Sequence, residues 1–266
     1  MDFSLMTYRE AAPSEDFAHL IFSFWEFATA DKDFGSIQHE IFPDGCLSLF
    51  YQRNEKFNLR RIAFSGLDLE SVTVPVFPGE TFWAMRISPA ACTYILGENP
   101  AILRAEKLIE AERFLHLTDG LLEKLNLCES FEEAIAAFEN HLKNLNFGHD
   151  FCDEKILQAL KIIEATGGEI KIARLAADMN LSTRQFERRF KGVSGLSPKQ
   201  FARARRLRAT AVALVENGTI NWANRAAEMG FADQSHLAHE FVSVTKRSPN
   251  SFAEKVKQID HGKLIK

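Results

Sequence analysis

The last third of this chain repeats itself after about fifty residues, and no other feature limits the possible folds so sharply. Ala176-Ala177-Asp178-Met179-Asn180-Leu181 returns as Ala226-Ala227-Glu228-Met229-Gly230-Phe231. Phe190, Ser197-Pro198 and Phe201 return as Phe241, Ser248-Pro249 and Phe252. The first block is offset by 50 positions and the later ones by 51, so one residue is inserted between them. A repeat of this length, holding two short helices around a tight turn, reads as two helix-turn-helix units. Two such units in one chain can reach successive major grooves on one face of DNA.

The local chemistry agrees. The corner between the two helices of a unit needs a residue that tolerates left-handed backbone, and Asn180 and Gly230 both do. Ala176 and Ala226, four residues earlier, let the helices approach closely. Ser182 and Asp233 are N-caps for the second helices. Phe186 with Phe190, and Leu237 with Phe241, are anchors spaced i and i+4 that hold each helix down. The positions between them then point outward: Thr183, Arg184, Glu187, Arg188 and Lys191 in one helix, and Gln234, Ser235, Ala238, His239 and Val242 in the other. Arg184 and Arg188 suit guanine O6/N7 or a phosphate, Gln234 suits adenine, and Ala238 suits a thymine methyl. The alternative is that these are solvated charges on small helical hairpins, and the presence of two such units weighs against it. Between the units, Ser197-Pro198 opens a long helix through about Glu216, with proline in the first turn. Its Arg203, Arg205, Arg206 and Arg208 are too many for one role. Phosphate contacts are expected of some, Arg203 among them, and a structural ion pair of Arg206.

Upstream the pattern changes. Ser36–Phe42 and Cys46–Gln52 flank Pro43-Asp44-Gly45, which is strong turn chemistry. Arg61–Ser65, Val72–Phe77 and Phe82–Ile87 are further strands, the last preceded by Pro78-Gly79. Sixteen of the 23 phenylalanines precede residue 151, enough for an aromatic core. Ser130-Phe131-Glu132-Glu133 is a capping box opening a helix to about Asn144. The fold class is therefore α+β: a sheet-bearing domain over 1–145, a linker at 146–152 containing Gly148, and an all-α domain over 153–266. In the latter, Asp153 caps a helix through Thr166 that Gly167-Gly168 stops. Helices follow at Ile170–Met179, Ser182–Gly192, Ser197 to about Glu216 (ended by Asn217-Gly218), Asn221–Met229, Asp233–Val244 and Ser248–Val256, seven in all.

Charge follows the same boundary. The formal net charge is −4, yet residues 1–150 hold 12 basic and 24 acidic side chains whereas residues 151–266 hold 20 and 12. Only the second part is suited to a polyanion. No apolar run reaches the length of a membrane span, and Met1 to Glu10 has no secretory pattern, so a cytoplasmic protein with no membrane association is expected. Cys46, Cys92, Cys128 and Cys152 are widely spaced and read as reduced structural thiols. No G-x-S-x-G, H-E-x-x-H or phosphate-loop pattern is present, and His39 alone among the N-terminal histidines falls on a strand. An enzyme, a metal site and a cofactor are therefore not expected. For a ligand site in the first domain the residues of interest are Trp25, His39, Trp83 and Arg86. Core packing is the better reading of the two tryptophans, and ion pairing of Arg86.

Residues 153–258 resemble the DNA-binding domain of the AraC/XylS family of bacterial transcription regulators. The resemblance rests on Ser182…Phe186-Glu187-Arg188-Arg189-Phe190-Lys191, Gly195-Leu196-Ser197-Pro198, Gly230-Phe231…Asp233-Gln234-Ser235-His236-Leu237…Phe241 and Ser248-Pro249. It implies two recognition helices bridged by a linker helix, with base-facing roles at Arg184, Glu187, Arg188, Gln234, Ser235, Ala238 and His239. Arg225 stands where the family commonly has an aliphatic residue, Lys246 where it has glycine, and Thr210 where it has alanine. Arg225 must then snorkel from the hairpin core, and Lys246 must make its turn without glycine. Trp25, Phe42-Pro43-Asp44-Gly45, Phe77-Pro78-Gly79 and Ser88-Pro89-Ala90 resemble a sensor-type domain of some members, implying a small β-barrel-like sheet followed by helices that serves effector sensing or dimerisation. Together these imply a homodimeric regulator of double-stranded promoter DNA, working with RNA polymerase and a small-molecule effector. The rival is a ligand-binding or scaffold protein whose helical domain binds protein. In that case the face bearing Arg184 and Arg188 would not join the one bearing Gln234 in a continuous positive surface.

Overall fold

A computed structural model describes residues 5–261 except 68, 146, 148–151, 218–223, 225, 228, 229, 257 and 258. The strands are β1 (Met6–Ala11), β2 (Ile21–Thr29), β3 (Ile37–Ile41), β4 (Ser48–Asn54), β5 (Leu59–Ser65), β6 (Val72–Val76), β7 (Glu80–Ile87), β8 (Leu108–Glu110) and β9 (Ile259–His261). Seven of them form one sheet in the order β8-β5-β4-β7-β2-β1-β9, and β3 pairs with β6 apart from it. All pairings among the described residues are antiparallel except β1 with β9, by which residues 259–261 join the N-terminal sheet.

The turn at Pro43-Asp44-Gly45 forms as its chemistry dictates, with Gly45 at φ 76°, but it does not close a hairpin. Its flanking strands go to different sheets, β3 to β6 and β4 to β5 and β7. Asp44 explains the departure. One carboxylate oxygen accepts the Cys46 N–H at 2.8 Å and the other holds Arg86 on β7, so the loop is pinned across the sheet instead of along it.

The alternation along β7 sorts its side chains onto two faces. Trp83, Met85 and Ile87 join the main core with Phe24, Leu49, Tyr51 and Phe64. The helices α1 (Cys92–Leu96), α2 (Leu115–Thr118), α3 (Leu121–Asn126) and α4 (Phe131–Asn144) supply the other half of that core through residues such as Leu117, Leu121, Phe131 and Phe138. The cap at Ser130 accepts the Glu133 N–H, while the Glu133 carboxylate reaches back to the Glu129 N–H, one residue before the cap.

The C-terminal helices are α5 (Glu154–Ala165), α6 (Ile172–Asp178), α7 (Thr183–Ser194), α8 (Pro198–Asn217), α9 (Gln234–Thr245) and α10 (Pro249–Val256). The helix expected at Asn221–Met229 lies largely outside the described residues, as do Arg225, Gly218 and most of the 146–152 linker; residues 224, 226 and 227 are helical. Ser197 caps α8 by accepting the Gln200 N–H at 3.2 Å, and Gln200 returns the bond to the Ser197 N–H at 3.0 Å. Gly168 presses onto α8 so closely that a Cβ there would lie 2.2 Å from the Ala202 carbonyl oxygen. Thr210, in the usual alanine position, is fully buried and donates its hydroxyl to the Arg206 carbonyl one turn back.

Five buried apolar clusters result among the described residues, and the N-terminal domain enters the two that lie in the helical part. Cys46, Ala90, Phe22 and Leu69 pack with the first helix-turn-helix unit. Phe42 packs with the second, its ring 5.3 Å from Phe252 and 5.9 Å from Phe241. Gly45 lies against α8, where a Cβ would meet the Phe201 ring at 2.9 Å. No helix among the described residues is long and apolar enough to cross a membrane.

Candidate nucleic-acid interface

The repeat is present down to individual hydrogen bonds. At the corners Asn180 has φ 55° and Gly230 φ 67°. The Leu181 N–H reaches the Ala176 carbonyl at 2.9 Å, and Phe231 reaches Ala226 at 2.8 Å. These bonds occupy carbonyls that the end of the first helix would otherwise leave open. Ser182 and Gln185 form a complete capping box at the start of α7, and Asp233 accepts the His236 N–H at the start of α9. At the far ends, Ser194 donates to the Phe190 carbonyl and Thr245, 51 residues on, donates to that of Phe241. Gly195 and Lys246 then both turn left-handed, at φ 76° and 56°. Lys246 makes its turn without glycine, and its ammonium donates to the Ser243 carbonyl at 2.9 Å.

Burial divides the second helices as the anchors require. Phe186, Phe190, Leu237 and Phe241 are fully buried. Thr183, Arg184, Glu187, Arg188 and Lys191 are exposed on α7, and Gln234, Ser235 and His239 on α9, with Ala238 half-buried. An exposed α7 surface with two arginines four apart offers ten N–H donors in planar forks, suited to guanine edges or phosphate. The adjacent Arg189 is committed elsewhere. Its Nε donates to Asp153 at 2.5 Å, so the buried cap of α5 also ties down the reading helix.

The linker-helix arginines are engaged by groups on other elements. Arg203 donates to Glu240 and to Ser243, fixing α8 to the back of α9. Arg205 forks onto Glu164 of α5 and also reaches the Asp44 carbonyl at 3.4 Å. Arg208 bonds Glu10 on β1. Among the described residues Arg206 has no ion pair, and its guanidinium lies over the Phe231 ring at 4.5 Å. Carboxylates 37, 41 and 198 positions away in sequence account for three of the four, and composition alone does not reveal such partners.

Of the four N-terminal candidates the structure brings two together: the Arg86 guanidinium lies 6.0 Å from the centre of the Trp25 ring on one face of the sheet. Trp83 is buried on the helix-facing side of the sheet, stacked on Tyr51, with its indole N–H on Glu26 at 2.8 Å. Trp25 pairs in register with Ala84 and so lies on the opposite face. His39 stacks on Phe27 at 4.4 Å. Arg86 is buried and fully engaged: by Asp44, by Glu10 at 3.0 Å, by Ser23 at 2.9 Å and by the Tyr8 hydroxyl at 2.9 Å. Burial opposes the charge on Glu10, but Arg86 and Arg208 prevail and hold its carboxyl well below the usual range. Burial pushes the Tyr8 hydroxyl up to about 12. A cavity of about 60 Å³ lies not inside the sheet but at the junction, between Phe42-Pro43 and Arg203, Ala204 and Leu207 of α8. It has room for a few water molecules. All four cysteines are buried and unbridged. Burial raises the thiols of Cys92 to about 12 and Cys152 to about 11, which keeps them protonated and unreactive.

Sequence reasoning missed Glu10, Glu40, Ser71 and Thr93, which are among the N-terminal residues bonded to the helical domain. None belongs to a motif; only their contacts distinguish them.

Comparison with known proteins gives two family matches. Residues 175–255 match a helix-turn-helix domain, and residues 9–108 match a domain of unknown function, DUF6597. No curated protein matches. Among solved structures, a probable AraC family transcriptional regulator from Rhodopseudomonas palustris is 24% identical over 40% of this chain and 99% of that one, with a TM-score of 0.35. An AraC-type regulator from Chromobacterium violaceum is 21% identical over 38% and 91%, with a TM-score of 0.36. ToxT from Vibrio cholerae is 12% identical over 94% and 97%, with a TM-score of 0.42. The family match makes the C-terminal part, residues 175–255, a helix-turn-helix domain.

Proposed function

Because the C-terminal part of this chain is an AraC-type helix-turn-helix domain, the domain of DNA-binding transcriptional regulators, we propose that α7 and α9 are its two reading helices and enter successive major grooves of promoter DNA. The observation that carries this reading is the matched pair of helices, each anchored by two buried residues and presenting its intervening side chains to solvent. Arg184, Arg188 and Lys191 supply most of the attraction for phosphate and guanine. Gln234, Ser235, Ala238 and His239 read by amide, hydroxyl and methyl contacts. Thr183 and Glu187 complete the base-facing set. Arg203 acts from behind, holding α9 on the linker helix through Glu240 and Ser243 instead of contacting DNA itself.

The N-terminal domain acts on DNA binding through its contacts with both units. In this reading a small molecule or a second copy of the chain works by altering those contacts, in a cytoplasmic regulator that engages RNA polymerase at its promoter. Selection of bound sequences from a random duplex pool tests the assignment. The expected result is a consensus with two half-elements about one helical turn apart. If about six phosphates are neutralised, binding should weaken with salt at a log–log slope near −5. Salt-independent binding, or no enriched sequence, contradicts it.

A further inference from the structure

We propose that the N-terminal domain sets the spacing between the two reading helices by holding the same backbone carbonyl in each repeat; the proposal rests on the DNA-binding reading above. Val193 and Val244 occupy equivalent positions, 51 residues apart, in the last turns of α7 and α9. Carbonyls in a last helical turn have no partner within the helix. Inside each repeat, Ser194 and Thr245 make equivalent bonds, to Phe190 and Leu196 in one and to Phe241 and Arg247 in the other. What the repeats leave open, the N-terminal domain takes.

The Thr93 hydroxyl of α1 lies 2.9 Å from the Val193 carbonyl oxygen and 2.8 Å from that of Gly192. The Ser71 N–H, at the entry to β6, donates to the Val244 carbonyl at 2.9 Å, and its hydroxyl lies 3.3 Å from the same oxygen. The two donors differ in kind and lie on different elements, yet they meet the same position of the repeat.

Each grip is backed by a second contact beside it. Gly195 abuts Pro100 and Ala101 so tightly that a Cβ would lie 2.7 Å from the Ala101 nitrogen. Arg247 donates to Glu40, whose side chain is 5% exposed, at 2.8 Å, and Glu40 in turn accepts the Ser71 hydroxyl at 2.7 Å. Two separately folded readers joined only by a helix would have some freedom to adjust to a changed spacing. Readers whose far ends are both fastened to one domain do not. Thr93 and Ser71 are therefore positioning residues for the spacing of the DNA site, not for its sequence.

The test uses the full chain, its T93V and T93S variants, and duplexes carrying the two half-elements obtained by selection. The half-elements are set at their selected spacing, one base pair closer and one base pair farther apart. The wild type should lose more affinity at the altered spacings than T93V does, by about two- to tenfold, the worth of one released hydrogen bond. T93S, which keeps the donor, should behave as the wild type. Affinity for a single half-element should be unchanged in all three. A folded T93V with the wild-type spacing profile overturns the proposal while leaving DNA binding intact. Failure of every protein to select DNA overturns the reading beneath it.

Discussion

Asn180 and Gly230 stand at the same corner of the two units, both left-handed. Glycine adopts that conformation without strain, whereas an ordinary side chain costs about 1–2 kcal/mol. Asn180→Ala should therefore lower stability by about that amount in chemical denaturation, while Asn180→Gly should come close to wild type. Equal losses in the two variants would show that the asparagine side chain, and not the backbone conformation, matters. Single residues of this kind were legible in the sequence because turn conformation and capping depend on neighbours within four positions. Asn180, Ser182, Asp233 and the buried Phe186, Phe190, Leu237 and Phe241 all behave as their spacing requires. The linker-helix arginines were not legible. Arg203 meets Glu240 and Arg205 meets Glu164, 37 and 41 positions away, and no local pattern marks those pairs.

At the scale of elements, the two reading helices share an architecture but not a surface. α7 exposes Arg184, Glu187, Arg188 and Lys191, and α9 exposes Gln234, Ser235, His239 and Val242. If Arg188 makes a bidentate contact with guanine, Arg188→Ala should cost about 1–3 kcal/mol on the selected site and relax the preference at one or two positions. Equal weakening on selected and random duplexes would reduce Arg188 to a phosphate contact. Element types were readable from periodicity, and the strands over 36–87 fall close to where alternation puts them. Their partners were not readable. The Pro43-Asp44-Gly45 turn has the chemistry of a hairpin, yet Asp44 is drawn across the sheet to Arg86, and β3 leaves to pair with β6. Pairing is decided by such long-range contacts, which alternation along one strand does not encode.

Across the whole molecule, the junction between the domains is held by buried charge as well as by apolar packing. Glu10 on the sheet accepts from Arg86 of its own domain and Arg208 of the linker helix, with its side chain 8% exposed. Its carboxyl is held below its unfolded value, so its contribution is fully present above pH 4.5 and is lost as pH falls through the folded value. Glu10→Gln should destabilise the protein by about 3–5 kcal/mol near neutrality, because the two guanidiniums then share Asp44 alone. The difference from wild type should be flat between about pH 6 and 8 and shrink in acid, as read from denaturation midpoints. A difference that grows in acid would contradict this account of the cluster.

The central claim is that one chain reads DNA with two helices from one face. Hydroxyl-radical footprinting of the full chain on its selected duplex tests this most directly. The account predicts two protected segments about 10 base pairs apart on the same face, with Arg188→Ala weakening one segment more than the other. A single protected segment, or two on opposite faces of the duplex, would contradict it.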